Sequence, residues 1–387
     1  MRDVYVVSAA RTAVGKANRG ALAQTRPDDM AAVVSNEAVK RAGVSPDSVQ
    51  DIVLGCAFPE SSQGMNVARI AQARSGLPDS ISAMTINRFC SSGLEAMAIA
   101  GAKIDAGLLD VSVAGGVESM SMIPMGGYKY SPNPQLVDER PEVYIAMGHC
   151  GDNVARDFNF SREQLDEFAY HSHRKAIAAI DNGLFKDEIV PIELANGNGQ
   201  ARYFDTDEGP RRDTSPEALA KLRPAFAASP KLGVCTAGNS SQTSDGAAAV
   251  CLMNERAMKE HNAKPMARFL GYAVRAGSPK HLGPAQLEAI PAACEQAGVL
   301  INDVGLFEIN EAFASVAAYV ARELDIDLER VNVNGGAIAL GHPLGCTGAK
   351  LATQIVYEMR RRGERYGVVT MCIGGGMGAA GVFELCE

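Results

Sequence analysis

The chain has 387 residues, of which 47% are hydrophobic and 21% are charged. This composition is ordinary for a globular protein, and the length suffices for two or three domains. A net charge of −8 excludes a global basic surface for nucleic acid or anionic membranes.

The two ends of the chain carry no recognisable targeting signal. Residues 4–7 predict a first strand rather than a signal peptide, and residues 383–387 show no peroxisomal or endoplasmic-reticulum address. No apolar run approaches the roughly 18 residues that would span a membrane. The nine cysteines are an odd number without a CxxC pair, which favours reduced thiols. We therefore expect a cytoplasmic protein that binds neither nucleic acid nor membrane.

The first predicted α/β unit leads to Cys90. An alanine-rich helix (residues 30–43) and a buried strand (residues 51–55) precede it, and at Cys90 an extended segment (residues 83–86) turns into a helix that starts at Ser92. A thiol at a helix N-terminus faces unsatisfied N–H groups and the positive end of the helix dipole. Both effects favour the thiolate, so we expect a nucleophile here. The alternative is a core cysteine, which is common.

A stretch of different character follows, over residues 118–243. It is rich in turns, proline, glycine and methionine, and it contains one amphipathic helix (residues 161–183) whose capping box is predicted to pair Ser161 with Gln164. We expect an inserted lobe that covers an active site. The alanine-rich residues 244–261 are predicted to form a helix that completes the first unit.

The C-terminal part repeats the first unit. Aligning Gly93 with Gly348, 255 residues later, superimposes two predicted helix starts and the strands that follow them. The strands over residues 51–55 and 305–309 then fall at almost the same shift. The sequence thus predicts a duplication with three parts: residues 1–117 plus 244–264, the inserted residues 118–243, and residues 265–387.

The second unit supplies two further reactive side chains. His342 lies in a Gly-His-Pro turn, and Cys372 opens a glycine-rich turn over residues 372–376. A nucleophile, a base and a spare thiol suggest acyl transfer through a thioester. His342 could equally be a hydrogen-bonded structural residue.

Metal binding is disfavoured. A zinc site built from Cys90, His342 and Cys372 would lack the usual local ligand pairs. His171 and His173 would point about 200° apart on a helix, which favours surface histidines. No metal ligand is therefore assigned.

Five motifs, taken in order, resemble the thiolases over essentially the whole chain. They are Cys90-Ser91-Ser92-Gly93, Gly115-Gly116-Val117-Glu118-Ser119-Met120, Asn310-Glu311-Ala312-Phe313, residues 335–343 and residues 372–376. The resemblance implies an α/β protein with a five-layered αβαβα fold, in which two duplicated α/β halves carry an inserted loop domain. It also implies a homodimer or homotetramer, which in some cases works beside a multifunctional β-oxidation enzyme.

The resemblance also implies residue roles. Cys90 would be acylated, His342 would raise its nucleophilicity, and Cys372 would move protons. A water held by Asn310, together with His342, would stabilise the enolate, while backbone N–H groups near Cys90 and Gly374 would stabilise the tetrahedral intermediate. Coenzyme A and acyl-CoA would be substrates, with no permanently bound cofactor.

Further positions match the family's coenzyme A and substrate contacts. Ser241 corresponds to a hydroxyl beside the pantetheine arm, and Arg211 lies where a basic residue would meet the nucleotide. Met147 belongs to the lobe's Met-Gly motif. Phe226 and Phe313 would border the pantetheine tunnel, or would equally be core residues.

The family resemblance points to a degradative 3-ketoacyl-CoA thiolase of fatty-acid β-oxidation. Biosynthetic members typically carry a histidine where this chain has Ala146, and acetyl-CoA C-acetyltransferase is the alternative. A decarboxylating ketoacyl synthase would need a second histidine in place of Asn310 and would lack Cys372. The apolar residues 120–125 are expected to form the wall of the acyl channel, with interlobe packing as the alternative. A redox-sensing protein would need exposed paired thiols, which the sequence does not suggest.

Overall fold

The computed structural model describes residues 3–194, 201–227 and 233–386. The remaining residues lie outside the described part, and they include Met1, Arg2 and Glu387, which belong to the two ends where no targeting signal is expected. Within it, no helix combines the length and apolar character needed to cross a bilayer.

Twelve strands are described. They are β1 (Tyr5–Arg11), β2 (Gly15–Lys16), β3 (Asp51–Gly55), β4 (Ser82–Ile86), β5 (Val111–Ser119), β6 (Ile192–Leu194), β7 (Arg202–Phe204), β8 (Ser244–Met253), β9 (Ala267–Ala276), β10 (Leu306–Ile309), β11 (Tyr366–Ile373) and β12 (Met377–Leu385).

Twelve α-helices alternate with these strands in the described ranges. They are α1 (Pro27–Ala42), α2 (Val67–Ser75), α3 (Ser92–Asp105), α4 (Pro134–Glu139), α5 (Met147–Asp157), α6 (Arg162–Asp181), α7 (Pro216–Ala220), α8 (Glu255–His261), α9 (Pro284–Ala297), α10 (Ala314–Glu323), α11 (Ala337–Leu340) and α12 (Leu344–Arg362).

The two halves of the main sheet share one pairing pattern. In the first half, β1 and β8 are antiparallel, β8 and β5 are antiparallel, and β5, β3 and β4 are parallel. In the second half, β9 and β12 are antiparallel, β12 and β11 are antiparallel, and β11 and β10 are parallel. The halves join where Tyr5 and Val6 of β1 pair with β9. The repeated order agrees with the duplication read from the sequence.

Helices cover both halves in five layers. Helices α1 and α2 pack outside the first half, α9 and α10 lie outside the second, and α3 and α12 lie between the two halves. Three large apolar clusters fill the spaces between these layers, and the strands β3, β5 and β8 are buried along their whole length. The expected αβαβα arrangement is confirmed.

The two aligned glycines meet at the centre of the molecule. A Cβ atom on Gly93 would lie 2.7 Å from the backbone nitrogen of Ala349, and one on Gly348 would lie 2.3 Å from that of Leu94. Any side chain would therefore force α3 and α12 apart. The duplication thus places a glycine from each copy at the close contact between the central helices.

The region between β5 and β8 contains α4 to α7 and the two-stranded sheet of β6 and β7. Helix α6 begins with the predicted capping box, in which Ser161 and Gln164 exchange hydrogen bonds between side chain and backbone. Helices α5 and α6 pack on α10. This region therefore rests on the second half of the fold.

Two local predictions are wrong. Residues 244–253 form strand β8 rather than a helix, because this run pairs with β1 and β5 and is buried along its whole length, and this tertiary pairing overrides the helix propensity of its alanines. His173 is buried rather than exposed, and its Nδ1 accepts a hydrogen bond of 3.1 Å from the N–H of Arg211. His171 is exposed, as expected.

Candidate active site

Connections from both halves of the fold converge on one site. Cys90 lies in a 3₁₀ turn between β4 and α3, Asn310 follows β10, and Gly374 follows β11. Because β10 and β11 are parallel, their carboxyl ends lie together, and the N–H of Asn310 donates to the Thr370 carbonyl at 2.9 Å. His342 stands between α11 and α12.

The turn that carries Cys90 has an unusual backbone. Phe89 adopts a φ of +43°, which is rare for a bulky residue. Its N–H donates to Asn87 Oδ1 at 2.8 Å, and its carbonyl accepts from Ser92 Oγ at 2.7 Å. These bonds hold the turn in place, and the turn presents the Cys90 thiol ahead of α3.

Two backbone N–H groups near the Cys90 sulfur act on the protonation of its thiol. They belong to Gly374 and to Cys90 itself, and both act to lower the pKa of the thiol. Desolvation outweighs them and raises the pKa to about 12, although Cys90 remains partly accessible. The expected preference for thiolate is therefore not found in the resting site, where the thiol is neutral. A base must take the proton when the thiol attacks.

His342 is a buried imidazole that is held by two side chains. Burial lowers its pKa to about 3, with a smaller effect from the cationic Lys350, so the ring is neutral. Its Nδ1 lies 2.6 Å from Thr347 Oγ1, and Asn310 Nδ2 donates toward Nε2 at 3.3 Å. An amide nitrogen can only donate, so Nε2 carries the lone pair and Nδ1 the proton. Asn310 Oδ1 is buried without a partner among the described residues, and it can accept a further hydrogen bond.

The resting state has a measurable consequence for the reactivity of Cys90. Iodoacetamide should alkylate Cys90 slowly near neutral pH, and the rate should rise steadily between about pH 6 and about pH 9 because the thiolate fraction grows with pH. Peptide mass spectrometry of timed samples measures this rate. A rate that is already maximal near pH 6 would instead indicate a stable thiolate–imidazolium pair.

Cys372 is buried close to Cys90. Its pKa lies well above the ordinary value, first because of desolvation and then because of the nearby Cys90 and Cys150. A neutral thiol in this position can donate a proton and recover it. Cys150, on α5, was not singled out in the sequence, and its thiol donates to the Pro279 carbonyl at 3.4 Å.

Glu118 lies in the second of the five motifs, but no role was predicted for it. This buried carboxylate accepts hydrogen bonds from the N–H groups of Ala57 at 2.8 Å, Phe58 at 3.3 Å and Gly345 at 2.9 Å, and from Gln63 Nε2 at 2.7 Å. Gly345 lies in the first turn of α12, next to His342. Glu118 therefore ties the first half of the fold to the histidine turn.

The predicted substrate contacts fall into two groups. Met147, Phe226 and Phe313 lie near the site: the Phe226 and Phe313 rings meet edge-on at 5.8 Å, and a Cβ on Gly374 would lie 3.4 Å from Met147 Sδ. Ser241 is attached to the same region through its N–H, which donates to the Ala312 carbonyl at 3.0 Å.

Arg211 lies apart from these contacts. Its exposed guanidinium pairs with the exposed Asp213 at 3.1 Å. Met120 of the expected channel wall packs against Ala57 and Leu344 beside Cys90, whereas Met125 is exposed.

Metal-binding geometry is absent from the described residues. Across residues 3–194, 201–227 and 233–386, no group of three or more histidine, cysteine, aspartate or glutamate side chains could hold an ion. All nine cysteines are free thiols.

Comparison with known proteins gives full-length similarities. Models of the thiolase N-terminal and C-terminal domains match residues 4–256 and 263–385. The chain is 51% identical to a 3-ketoacyl-CoA thiolase of Bacillus subtilis, with 100% of both chains covered. It is 41% identical to an acetyl-CoA acetyltransferase of Syntrophomonas wolfei, with 99% of both covered. The crystal structure of the Bacillus anthracis acetyl-CoA acetyltransferase matches with a TM-score of 0.91 and 38% identity, covering 100% of this chain and 99% of that one.

Proposed function

Since this chain belongs to the thiolase family and is an acyltransferase, we propose that it is a degradative 3-ketoacyl-CoA thiolase acting in fatty-acid β-oxidation. The observation that carries the proposal is the convergence on Cys90 of two backbone N–H groups and a second buried thiol, Cys372. This set provides a nucleophile, an oxyanion site and a proton carrier. Neutral His342 and Asn310 form a hydrogen-bonded pair at the same site.

The first half-reaction cleaves the bond between C2 and C3 of the 3-ketoacyl-CoA. His342 Nε2 takes the Cys90 proton as the sulfur attacks C3, and the N–H groups of Cys90 and Gly374 hold the resulting alkoxide. When the alkoxide collapses, the C2–C3 electron pair passes to the acetyl-CoA enolate, which His342 and a water on Asn310 stabilise. Cys372 then gives its proton to C2. The products are acetyl-CoA and an acyl-Cys90 thioester.

The second half-reaction transfers the acyl group to coenzyme A. The Cys372 thiolate takes the proton of the coenzyme A thiol, and the coenzyme A sulfur attacks the thioester carbon. The same two N–H groups hold the oxyanion, and Cys90 leaves as a thiolate that regains its proton from His342. Each group thus returns to its starting protonation state. The neutral resting forms of the two thiols and of the histidine support this cycle.

The proposed substrate contacts line the approach to Cys90. Met147, Phe226 and Phe313 are assigned to the apolar passage of the pantetheine arm, and Ser241 to a hydrogen bond with it, because all four lie around Gly374 and the Asn310–Phe313 segment. Arg211 is assigned to the nucleotide. Its exposed position fits a flexible contact with a phosphate.

Ala146 supports the degradative type. It precedes Met147 at the start of α5, and a methyl group there leaves more room than the histidine typical of biosynthetic members. Met120, which packs beside Cys90, suits a wall that must fit chains of different length. The Bacillus subtilis relative that carries the name 3-ketoacyl-CoA thiolase supports the same reading.

Thiolysis rates across a substrate series test this proposal. Substrates from acetoacetyl-CoA to long-chain 3-ketoacyl-CoA should show kcat/KM rising severalfold per two added carbons until the channel is full, because each buried methylene contributes up to about 0.8 kcal/mol. An Ala146→His variant should lose the preference for longer chains and keep its rate with acetoacetyl-CoA.

Acetyl-CoA C-acetyltransferase is the second candidate, since the Syntrophomonas wolfei relative and the Bacillus anthracis structure carry that name. A kcat/KM that falls steeply from four to six carbons in the wild-type enzyme would favour it. Such a result would mean that the channel is closed beyond the acetoacetyl group.

The proposal includes a homodimer or homotetramer, with association with a multifunctional β-oxidation enzyme as a further assembly. Strand β4 ends the main sheet, and the side chain of Met65 before α2 is 88% exposed, which supports a protein partner at this edge. A cytoplasmic location is also proposed, and it is supported by the nine free thiols.

A further inference from the structure

A basic cavity of about 820 Å³ lies at the end of α12 away from the catalytic residues. Thr347, at the histidine, and Arg360, at the cavity, are thirteen residues apart on α12. At 1.5 Å per residue this separates them by about 20 Å. The charged and hydroxyl-bearing lining includes Arg41, Lys186, Asp187, Lys264, Tyr357 and Arg360. None of these residues belongs to the proposed active site.

Three cations at the rim have no partner in the described structure. Lys186, Lys264 and Arg360 are exposed, and none makes an ion pair or a side-chain hydrogen bond with another described residue. Asp187 is the acid in the lining. In a chain with a net charge of −8, a cavity lined by four cationic side chains and one acid is unusual.

The inner wall is held by hydrogen bonds. Arg41 is fixed by Glu37 at 2.9 Å, by the carbonyls of Ala9 and Asp187 at 3.0 and 2.6 Å, and by the Tyr357 hydroxyl at 3.1 Å. The Tyr357 hydroxyl itself donates to the Ala9 carbonyl at 3.1 Å. The cavity thus combines a preformed wall with free cations at its mouth. A ligand entering it would not need to order the wall.

We propose that this cavity binds a small organic anion with two or more phosphate groups, such as a nucleoside triphosphate. Lysine and arginine both bind phosphate. Three separated cations fit a ligand with several phosphate groups better than a ligand with a single phosphate group. The volume greatly exceeds that of a single phosphate ion. Val7, Pro265 and Met266 supply apolar surface for the organic part.

A competing account gives these cations a structural role only. Arg41 and Arg360 lie in the last turns of α1 and α12, where positive charge offsets the helix dipole. Lys186 and Lys264 lie in loops outside any helix, so the dipole does not explain them. Replacing Lys186 and Lys264 with neutral residues separates the two roles, because the replacement weakens ligand binding only if these cations bind phosphate.

Calorimetry with ATP tests the proposal, and substitutions in the cavity separate this site from any nucleotide site next to the catalytic cysteines, because Lys186 and Lys264 lie outside the proposed active site. We expect one ATP per chain, with binding weakened about tenfold for each cation removed in Lys264→Gln and in Lys186→Gln/Lys264→Gln. Tripolyphosphate as a second probe measures the contribution of the phosphates alone. The control Arg74→Gln/Lys129→Gln removes two exposed cations elsewhere and should bind ATP like the wild type.

A second readout uses Cys386, a partly accessible thiol in the lining. Bound ATP should slow its alkylation by iodoacetamide, as followed by peptide mass spectrometry, and the double variant should lose this protection. The proposal is overturned if ATP does not bind, or if the double variant binds ATP as tightly as the control. A lowered melting temperature with unchanged ATP affinity would leave the cations with a structural role only.

Discussion

Replacing Cys90 with alanine is expected to lower thiolysis by at least about 10⁴-fold, since the substitution removes the proposed nucleophile. The N–H groups of Cys90 and Gly374 remain, but they have no tetrahedral adduct to stabilise. The fold should persist, because the side chain is partly accessible and contributes little to the core. Initial rates of 3-ketoacyl-CoA cleavage measure the loss.

The matched control is Cys294→Ala. Cys294 is a buried cysteine on α9, in the outer layer of the second half, and it packs in the apolar core. This variant should lose some stability and keep its rate at moderate temperature. If Cys90→Ala retained more than about one hundredth of the wild-type rate, another residue would have to be the nucleophile.

Replacing Cys372 with alanine is expected to lower steady-state turnover by about 10²- to 10⁴-fold, the usual contribution of a general acid–base group. Cys90 and the two N–H groups would remain, so the enzyme should be acylated far faster than it turns over. Rapid-quench measurement of acyl-enzyme during the first turnover, compared with the steady-state rate, separates the two effects. Burial keeps the Cys372 thiol neutral, as a proton donor requires.

Cys150→Ala is the control for that experiment. Its thiol is a second buried neighbour of Cys372 but donates to the carbonyl of Pro279, so it is engaged elsewhere. We expect less than about a tenfold change in turnover, because no proton transfer passes through it. Equal losses in the Cys150 and Cys372 variants would indicate that thiol packing, rather than proton transfer, sustains the rate.

The sequence predicted those features of the fold that depend on local pattern. The capping box at Ser161 and the matching glycines Gly93 and Gly348 follow from short motifs, and the structure contains all of them. Strand β8 was mistaken for a helix because its alanines satisfy either period, and only the neighbouring strands β1 and β5 decide between them. Tertiary pairing of this kind cannot be read from one segment.

The site was harder to anticipate than the fold. The helix-start position of Cys90 suggested a thiolate, but the desolvation created by the surrounding chain outweighs the N–H groups and keeps the thiol protonated. Glu118 bonds to Gly345, 227 residues away, and Cys150 bonds to Pro279, 129 residues away. Contacts this distant in sequence cannot be predicted from local spacing. The contact between His342 and Thr347 spans five residues and could have been found from the histidine turn.

The central claim is that Cys90 carries the acyl group, and one measurement tests it most directly. The wild-type enzyme is incubated with acetyl-CoA without a second substrate, quenched in acid, digested, and analysed by peptide mass spectrometry. The account predicts one acetyl group per chain, on Cys90, and none in the Cys90→Ala variant. An acetyl group on Cys372, Cys150 or any other cysteine, with Cys90 unmodified, would contradict it.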